Sequence, residues 1–188
     1  MGTIFVDNLE PQSGTSLTLG ASGDAINLAT GATAGFGKIG QVIQTEVTAQ
    51  SYSNSSTTPQ AVTDLSVSIT PTSTSSKILI MGKVMCGSAS GSRNFIQLRR
   101  GTTKIGNNAS AGSRQEVIAV GTSDAVNDVC TINFNYLDSP STTSATTYNI
   151  YACCEGSFTF RLNRSENDTD DASVSRGTSV ITVMEILP

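Results

Sequence analysis

Residues 161–175 (RLNRSENDTDDAS at its heart) gather the densest set of metal-type ligands in the chain: Glu166, Asn167, Asp168, Asp170 and Asp171. Clustered carboxylate and amide oxygens on a loop are the donor type that calcium takes. The spacing differs from a helix–loop–helix calcium loop, which needs glycine at its sixth position. Calcium is therefore a weak expectation here, resting on Asp168, Asp170 and Asp171, and an ordinary solvated acidic loop is the plainer one. No other cofactor is expected. Four cysteines, Cys86, Cys130, Cys153 and Cys154, match no zinc spacing. The chain has no histidine to complete a mixed site. Three of the four lie in apolar runs, where a thiol behaves as a small hydrophobe. Cys153 and Cys154 are neighbours and would point to opposite faces of one strand.

Without histidine, the commonest general base is missing, and Ser-His-Asp and Cys-His arrangements are excluded within the chain. Asp64, Asp124, Asp128, Asp138 and Glu155 are scattered, and nothing in their spacing pairs two of them. The expectation is a protein that is not an enzyme. Tyr52, Asn54, Arg93, Asn107 and Asn108 are types that contact sugars or receptor groups, and they fall in or beside Gly/Ser-rich segments. Loops on a rigid β scaffold often carry binding residues.

Composition narrows the partners. The 188 residues carry a net charge of −4, with no basic run, which argues against nucleic acid. No apolar stretch is long enough for a membrane-spanning helix. Aromatic residues make up 5% and charged residues 14%; that balance, with abundant Ser and Thr, suits half-exposed strands better than surface helices.

The elements that must position these residues are strands. Alternating or continuous apolar patterns cover 38–47, 62–69, 77–86, 94–100, 114–120, 129–136, 146–154 and 178–187, with Phe158, Phe160 and Leu162 sharing one further face. Residues 49–58 and 71–76 read as loop and turn, and the segments 87–92 and 107–112 as loops at a sandwich tip. About nine strands without helices predict an all-β, two-sheet sandwich or jelly roll over 38–188. The run KILIMGKVMC and the run TSVITVMEIL read as central strands.

The segment before this head is of a different kind. Residues 13–37 hold two short apolar stretches, Leu17/Leu19 and Ile26/Leu28, followed by a Gly-rich neck at 31–37. Ordering a residue costs about 1–2 kcal/mol of backbone entropy, while burying one leucine returns only about 1.5–3 kcal/mol. Such a segment cannot fold alone. The expectation is an intertwined trimeric β-stem, with 1–12 as an anchor through Ile4, Phe5 and Val6.

Four phrases carry a resemblance: LSVSITPTSTSSKILIM (65–81), YLDSPSTTSATTYNIY (136–151), LNRS (162–165) and SVITVMEI (179–186). Together they resemble the head domains of tail-fibre-like proteins of bacteriophages, especially phages of marine and freshwater bacteria. The phrase LTLGASGDAINLATGATAGFGKIGQV resembles the leader before such heads. The resemblance implies a trimeric jelly-roll head similar to those of tumour necrosis factor and complement. It implies a short homotrimeric tail fibre on the exterior of the virion, made in the bacterial host cytoplasm. Its N-terminus would bind another virion protein, a tail adaptor or the major capsid protein, and its head a host-surface glycan or protein. The short leader leaves a capsid decoration or head-fibre role open. A bacterial carbohydrate-binding module is the third alternative.

Overall fold

A computed structural model of the chain describes residues 39–110 and 112–188. The anchor residues Ile4, Phe5 and Val6, the stem residues Leu17, Leu19, Ile26 and Leu28, and the Gly-rich neck lie outside the described residues. Among the described residues there are eleven strands and no helix. They are β1 (Ile39–Val47), β2 (Ser53–Asn54), β3 (Gln60–Ile69), β4 (Lys77–Gly87), β5 (Ser92–Arg100), β6 (Thr103–Ile105), β7 (Ala119–Ser123), β8 (Cys130–Asp138), β9 (Thr146–Cys154), β10 (Phe160–Leu162) and β11 (Ser179–Ile186).

Two antiparallel sheets form. In the first, β1 pairs with β11, β11 with β4, and β4 with β8; the short β10 and β2 extend the far end of β4. In the second, the order is β3-β9-β5, with β6 and β7 sharing the outer edge of β5. Leaving the short strands aside, the eight long ones pair as first with eighth, second with seventh, third with sixth and fourth with fifth. That nesting is a long antiparallel ribbon rolled on itself, the jelly roll. The expected all-β sandwich is the observed one.

Strand periodicity explains the core. In β4, Ile78, Ile80, Val84 and Cys86 are buried, and in β9, Tyr148, Ile150, Ala152 and Cys154. Alternate residues point the same way, so the two sheets interdigitate these rows. Gly82 stands in the inward phase of β4 because Phe134 on β8 covers it: a Cβ there would meet the ring at 2.1 Å. A polar cluster ties the sheets at one end. Arg100 on β5 donates to both oxygens of Asp138 on β8, and the Tyr148 hydroxyl donates to Asp138 Oδ2 at 2.7 Å. Burial, then that bond, pushes the Tyr148 hydroxyl pKa far above its ordinary value.

Glu185 is fully buried on β11, with no ion-pair partner among the described residues. Burial alone would raise its pKa. Donation from Gln41 Nε2 at 2.8 Å, and from the Thr72 backbone N–H and hydroxyl at 2.6 and 2.8 Å, outweighs burial and holds it at about 2. This carboxylate fastens the 71–76 turn to both β1 and β11.

The structure corrects three local expectations and adds one strand. Residues 49–58 contain β2, which pairs with β10. Phe158 lies outside β10 and is 43% exposed, so it does not share a core face with Phe160 and Leu162. Lys104 and its neighbours form β6, a strand in a segment that carried no apolar alternation. The strand expected at 114–120 runs instead over Ala119–Ser123. Its first part is held differently: Gln97 Nε2 donates to the Glu116 carbonyl at 2.7 Å, where a ladder bond would otherwise stand.

Candidate functional site

The sandwich has two outer faces, and register shows what each presents. Across the first sheet, Val42 on β1 sits opposite Met184 on β11, Met184 opposite Leu79 on β4, and Leu79 opposite Leu137 on β8. All four point away from the core, and Val42 and Leu137 are about half exposed (54% and 48%). Beside this row Met81, Val180, Lys83 and Thr182 line a shallow hollow on the same face. Glu46, which pairs with Val180, lies one step further along. An apolar stripe across an entire four-stranded sheet, exposed at both edges, is the kind of patch that marks a contact surface.

Away from an apolar group at Phe95 and Val120, the second sheet turns a polar face outward. The corresponding row is Ser66 on β3, Asn149 on β9, Arg99 on β5 and Lys104 on β6. Ser68 and Thr147 exchange a hydroxyl hydrogen bond of 2.7 Å on this face. At its β6 edge lies a cleft of about 290 Å³ lined by Thr57, Thr58, Gln97, Arg99, Lys104, Arg114, Gln115 and Glu116, among others. Three of these side chains are cations and one is a carboxylate.

Strand pairing creates the cleft's charge. Arg99 and Lys104 are direct cross-strand partners, and like charges set opposite each other destabilise a sheet. Such a local conflict is expected where function demands it. Lys104 is answered by Glu116 at 2.6 Å, which lowers the Glu116 carboxyl pKa. Arg99 has no carboxylate partner among the described residues. Instead, Gln97 Oε1 accepts from its Nε and Nη2 at 3.3 and 2.8 Å, and its guanidinium lies 3.8 Å from the centre of the Tyr151 ring. Gln97 is itself buried and fixed by the Glu116 carbonyl. The guanidinium is thus held in place, and among the described residues its Nη1 has no hydrogen-bond acceptor. Gln115 bridges the far wall by donating to the Thr57 carbonyl at 3.1 Å. The arrangement offers fixed cationic donors among amides and hydroxyls, suited to an anionic, hydroxyl-rich ligand.

The residues singled out in the sequence are not brought together. Asn54 is buried; it donates to the Ala152 and Thr58 carbonyls and accepts from the Ser56 N–H. Tyr52 packs edge-on against Phe160, and its hydroxyl donates to the Gln60 carbonyl. Arg93 is a strand residue, paired with Glu155 at 2.8 Å. Asn107 donates to the Leu98 and Ile105 carbonyls and so shapes the turn after β6. Leu98 is five residues along β5 from Arg93, roughly 17 Å at strand rise. Asn108 is exposed, and its side chain accepts from the Ala109 N–H. Arg99, Lys104 and Arg114, the cations of the cleft, were not marked by the sequence.

In the acidic loop, both oxygens of Asp168 accept from Arg176, at 2.8 and 2.7 Å, and its carboxyl pKa is lowered accordingly. Asp171 accepts from the Ser173 hydroxyl and backbone N–H. Among the described residues no three His, Cys, Asp or Glu side chains gather at a spacing that would hold a metal ion. Cys86, Cys130, Cys153 and Cys154 are all free thiols.

No family model matches the chain, and no curated protein matches it. Among solved structures, it is similar to a chain in a structure of infectious bursal disease virus, Gx strain, with a TM-score of 0.37 and 14% identity. The match covers 88% of this chain and 47% of the other, so this chain spans about half the length of that one.

Proposed function

We propose that this chain is a non-enzymatic structural protein on the exterior of a bacteriophage particle, a short homotrimeric fibre that contributes to host attachment. One observation carries the reading: an apolar row, Val42, Met184, Leu79 and Leu137, crosses the outer face of the first sheet, whereas the second sheet holds a cationic cleft at its β6 edge. The apolar face suits contact with further copies of the chain. Four strands about 4.8 Å apart, with β4 rising about 3.3 Å per residue, make a face on the order of 700 Å². A standard interface covers about 800 Å² per partner, so this face falls just short alone and the stem would add to it. Glu46 and Lys83, of opposite charge on this same face, give neighbouring copies a means of fixing register.

The stem residues Leu17, Leu19, Ile26 and Leu28 would join three chains about one axis, and residues 1–12 would hold a tail adaptor or the major capsid protein. The resemblance to phage fibre heads supports this assignment. With the first sheet turned inward, the cleft at Arg99 and Lys104 faces out. Its ligand is then an anionic glycan of the host surface, bound three times over by one fibre and strengthened by effective concentration.

Sedimentation velocity on the full chain tests assembly: a trimer is expected, and a monomer throughout the micromolar range contradicts it. Antibody labelling of intact particles then tests location. Label at the tail supports the attachment fibre. Label spread over the shell replaces it with capsid decoration, and unlabelled particles overturn both.

A further inference from the structure

Cys86 on β4 and Cys130 on β8 stand directly opposite each other, and their sulfurs are 3.3 Å apart. Directly opposed residues in an antiparallel pair have Cα atoms about 4.5–5.5 Å apart, inside the range of about 4.4–6.8 Å that a disulfide spans. Side-chain rotation alone therefore brings the sulfurs to bonding distance. The two thiols are also unequal. Cys86 is fully buried, whereas Cys130 is partly exposed on the wall of a cleft of about 390 Å³ that Thr122, Asp124, Asn127 and Asp128 help to line.

The hydrogen bond from Cys86, helped by Ser123 and Asn94, brings the Cys130 thiol pKa down to about 7, while burial pushes Cys86 up. Cys130 is thus the thiolate that solvent reaches, with Cys86 placed behind it. The other two cysteines are adjacent on β9 and point to opposite faces, so they form no comparable pair.

We propose that Cys86 and Cys130 form a cross-strand disulfide when the chain stands in an oxidising medium, by exchange with a small-molecule disulfide. The Cys130 thiolate attacks one sulfur of the oxidant. The oxidant's S–S bond breaks, a mixed disulfide forms on Cys130, and one small thiolate leaves. Cys86 loses its proton and attacks the Cys130 sulfur, and the second small thiol leaves with that proton. Two protein thiols are oxidised and one oxidant disulfide is reduced to two thiols. Only the exterior setting rests on the function proposed above. The bond would close a loop between residues 44 apart, tie β4 to β8 and restrain the unfolded chain.

The test incubates the purified full chain with oxidised glutathione and measures intact mass, thiols titrated in denaturant, and thermal melting. The expected result is loss of about two of the four thiols, with no glutathione retained. The melting temperature should rise by roughly 10 °C, reversed by reductant. Cys86→Ser and Cys130→Ser should each abolish the bond, with Cys130→Ser leaving Cys86 unmodified and Cys86→Ser leaving glutathione on Cys130. Cys154→Ser should still form it. Four thiols remaining, a bond that survives Cys130→Ser, or an oxidised form that melts lower overturns the proposal. The assay needs no particle, so its failure leaves the location of the fibre untouched.

Discussion

Two rows of side chains cross the sandwich on opposite outer faces. Val42, Met184, Leu79 and Leu137 cross the first sheet; Ser66, Asn149, Arg99 and Lys104 cross the second. The backbone is the same in kind, four antiparallel strands over one shared core. The second sheet is nearer the usual division of an antiparallel sheet, one face in the core and one in water, with its own apolar residues Val120 and Phe95 confined to the β7 side. The first departs from it along one row, where Leu79 on β4 and Met184 on β11 point outward in line with Val42 and Leu137. The difference teaches that the core needs only one face of each sheet, so a second apolar face has another purpose. Under the function proposed above, that purpose is contact between chains.

The largest effect should come from charging the apolar row. Replacing Leu79 and Met184 with Asp puts two carboxylates at the centre of the proposed interface. The full chain should then dissociate at concentrations at least about tenfold above those at which the parent does. Because both side chains point away from the core, the variant's strand spectrum in circular dichroism should match the parent's. A variant that dissociates only where the parent does breaks the comparison.

A smaller effect separates the inner from the outer phase of β11. Glu185 points inward between Met184 and Ile186, and its carboxyl lies near 2 against an ordinary 4.5. A depressed carboxylate stabilises the fold above its unfolded pKa and loses that stabilisation as pH falls through its folded one. Stability should therefore be full above about pH 4.5 and fall by about 3 kcal/mol towards pH 2. Urea melts at pH 7, 4 and 2.5 measure it. Glu185→Gln should be less stable at pH 7 and should flatten the pH dependence. An unchanged slope would remove Glu185 as its source.

The smallest effect concerns the cationic row. Arg99→Gln with Lys104→Gln removes two like charges set opposite each other and should change stability by no more than about 0.5 kcal/mol at low salt. It should nonetheless weaken binding of trigalacturonate, an anionic oligosaccharide, at least about tenfold by calorimetry. Maltotriose, which is neutral, should bind neither protein, and Arg93→Gln, at the other end of β5, should bind trigalacturonate like the parent. Equal binding of the charged and neutral sugars would deprive the cleft of its role.

Much of the fold was legible because alternation reports burial directly. Leu65, Val67 and Ile69 against Ser66 and Ser68 is one such pattern, and β3 follows it. The run at β4 was read as a central strand, and β4 is central, between β11 and β8. What that run did not reveal is that its second apolar face lies open; a continuous apolar strand looks the same whether its own chain or another covers it. The site was less legible. Lys104 meets Arg99 only through a three-residue strand whose pairing depends on the turn at Gly101, with φ of 58°. Nothing in Thr103, Lys104 and Ile105 announces that pairing. Asn54 and Asn107 looked like ligands by type, but their amides satisfy buried carbonyls instead, a need that only the folded chain defines.

The central claim is that the outer face of the first sheet is covered by other copies of the chain and that of the second is not. Hydroxyl-radical footprinting of the full-length assembly, with the Leu79→Asp, Met184→Asp variant as the uncovered reference, tests it most directly. Met81 and Leu137 should be labelled several-fold less in the assembly than in the variant, while Phe95 and Tyr151 on the second sheet should be labelled equally in both. Equal labelling of the first-sheet residues in both proteins, or protection confined to Phe95 and Tyr151, would contradict it.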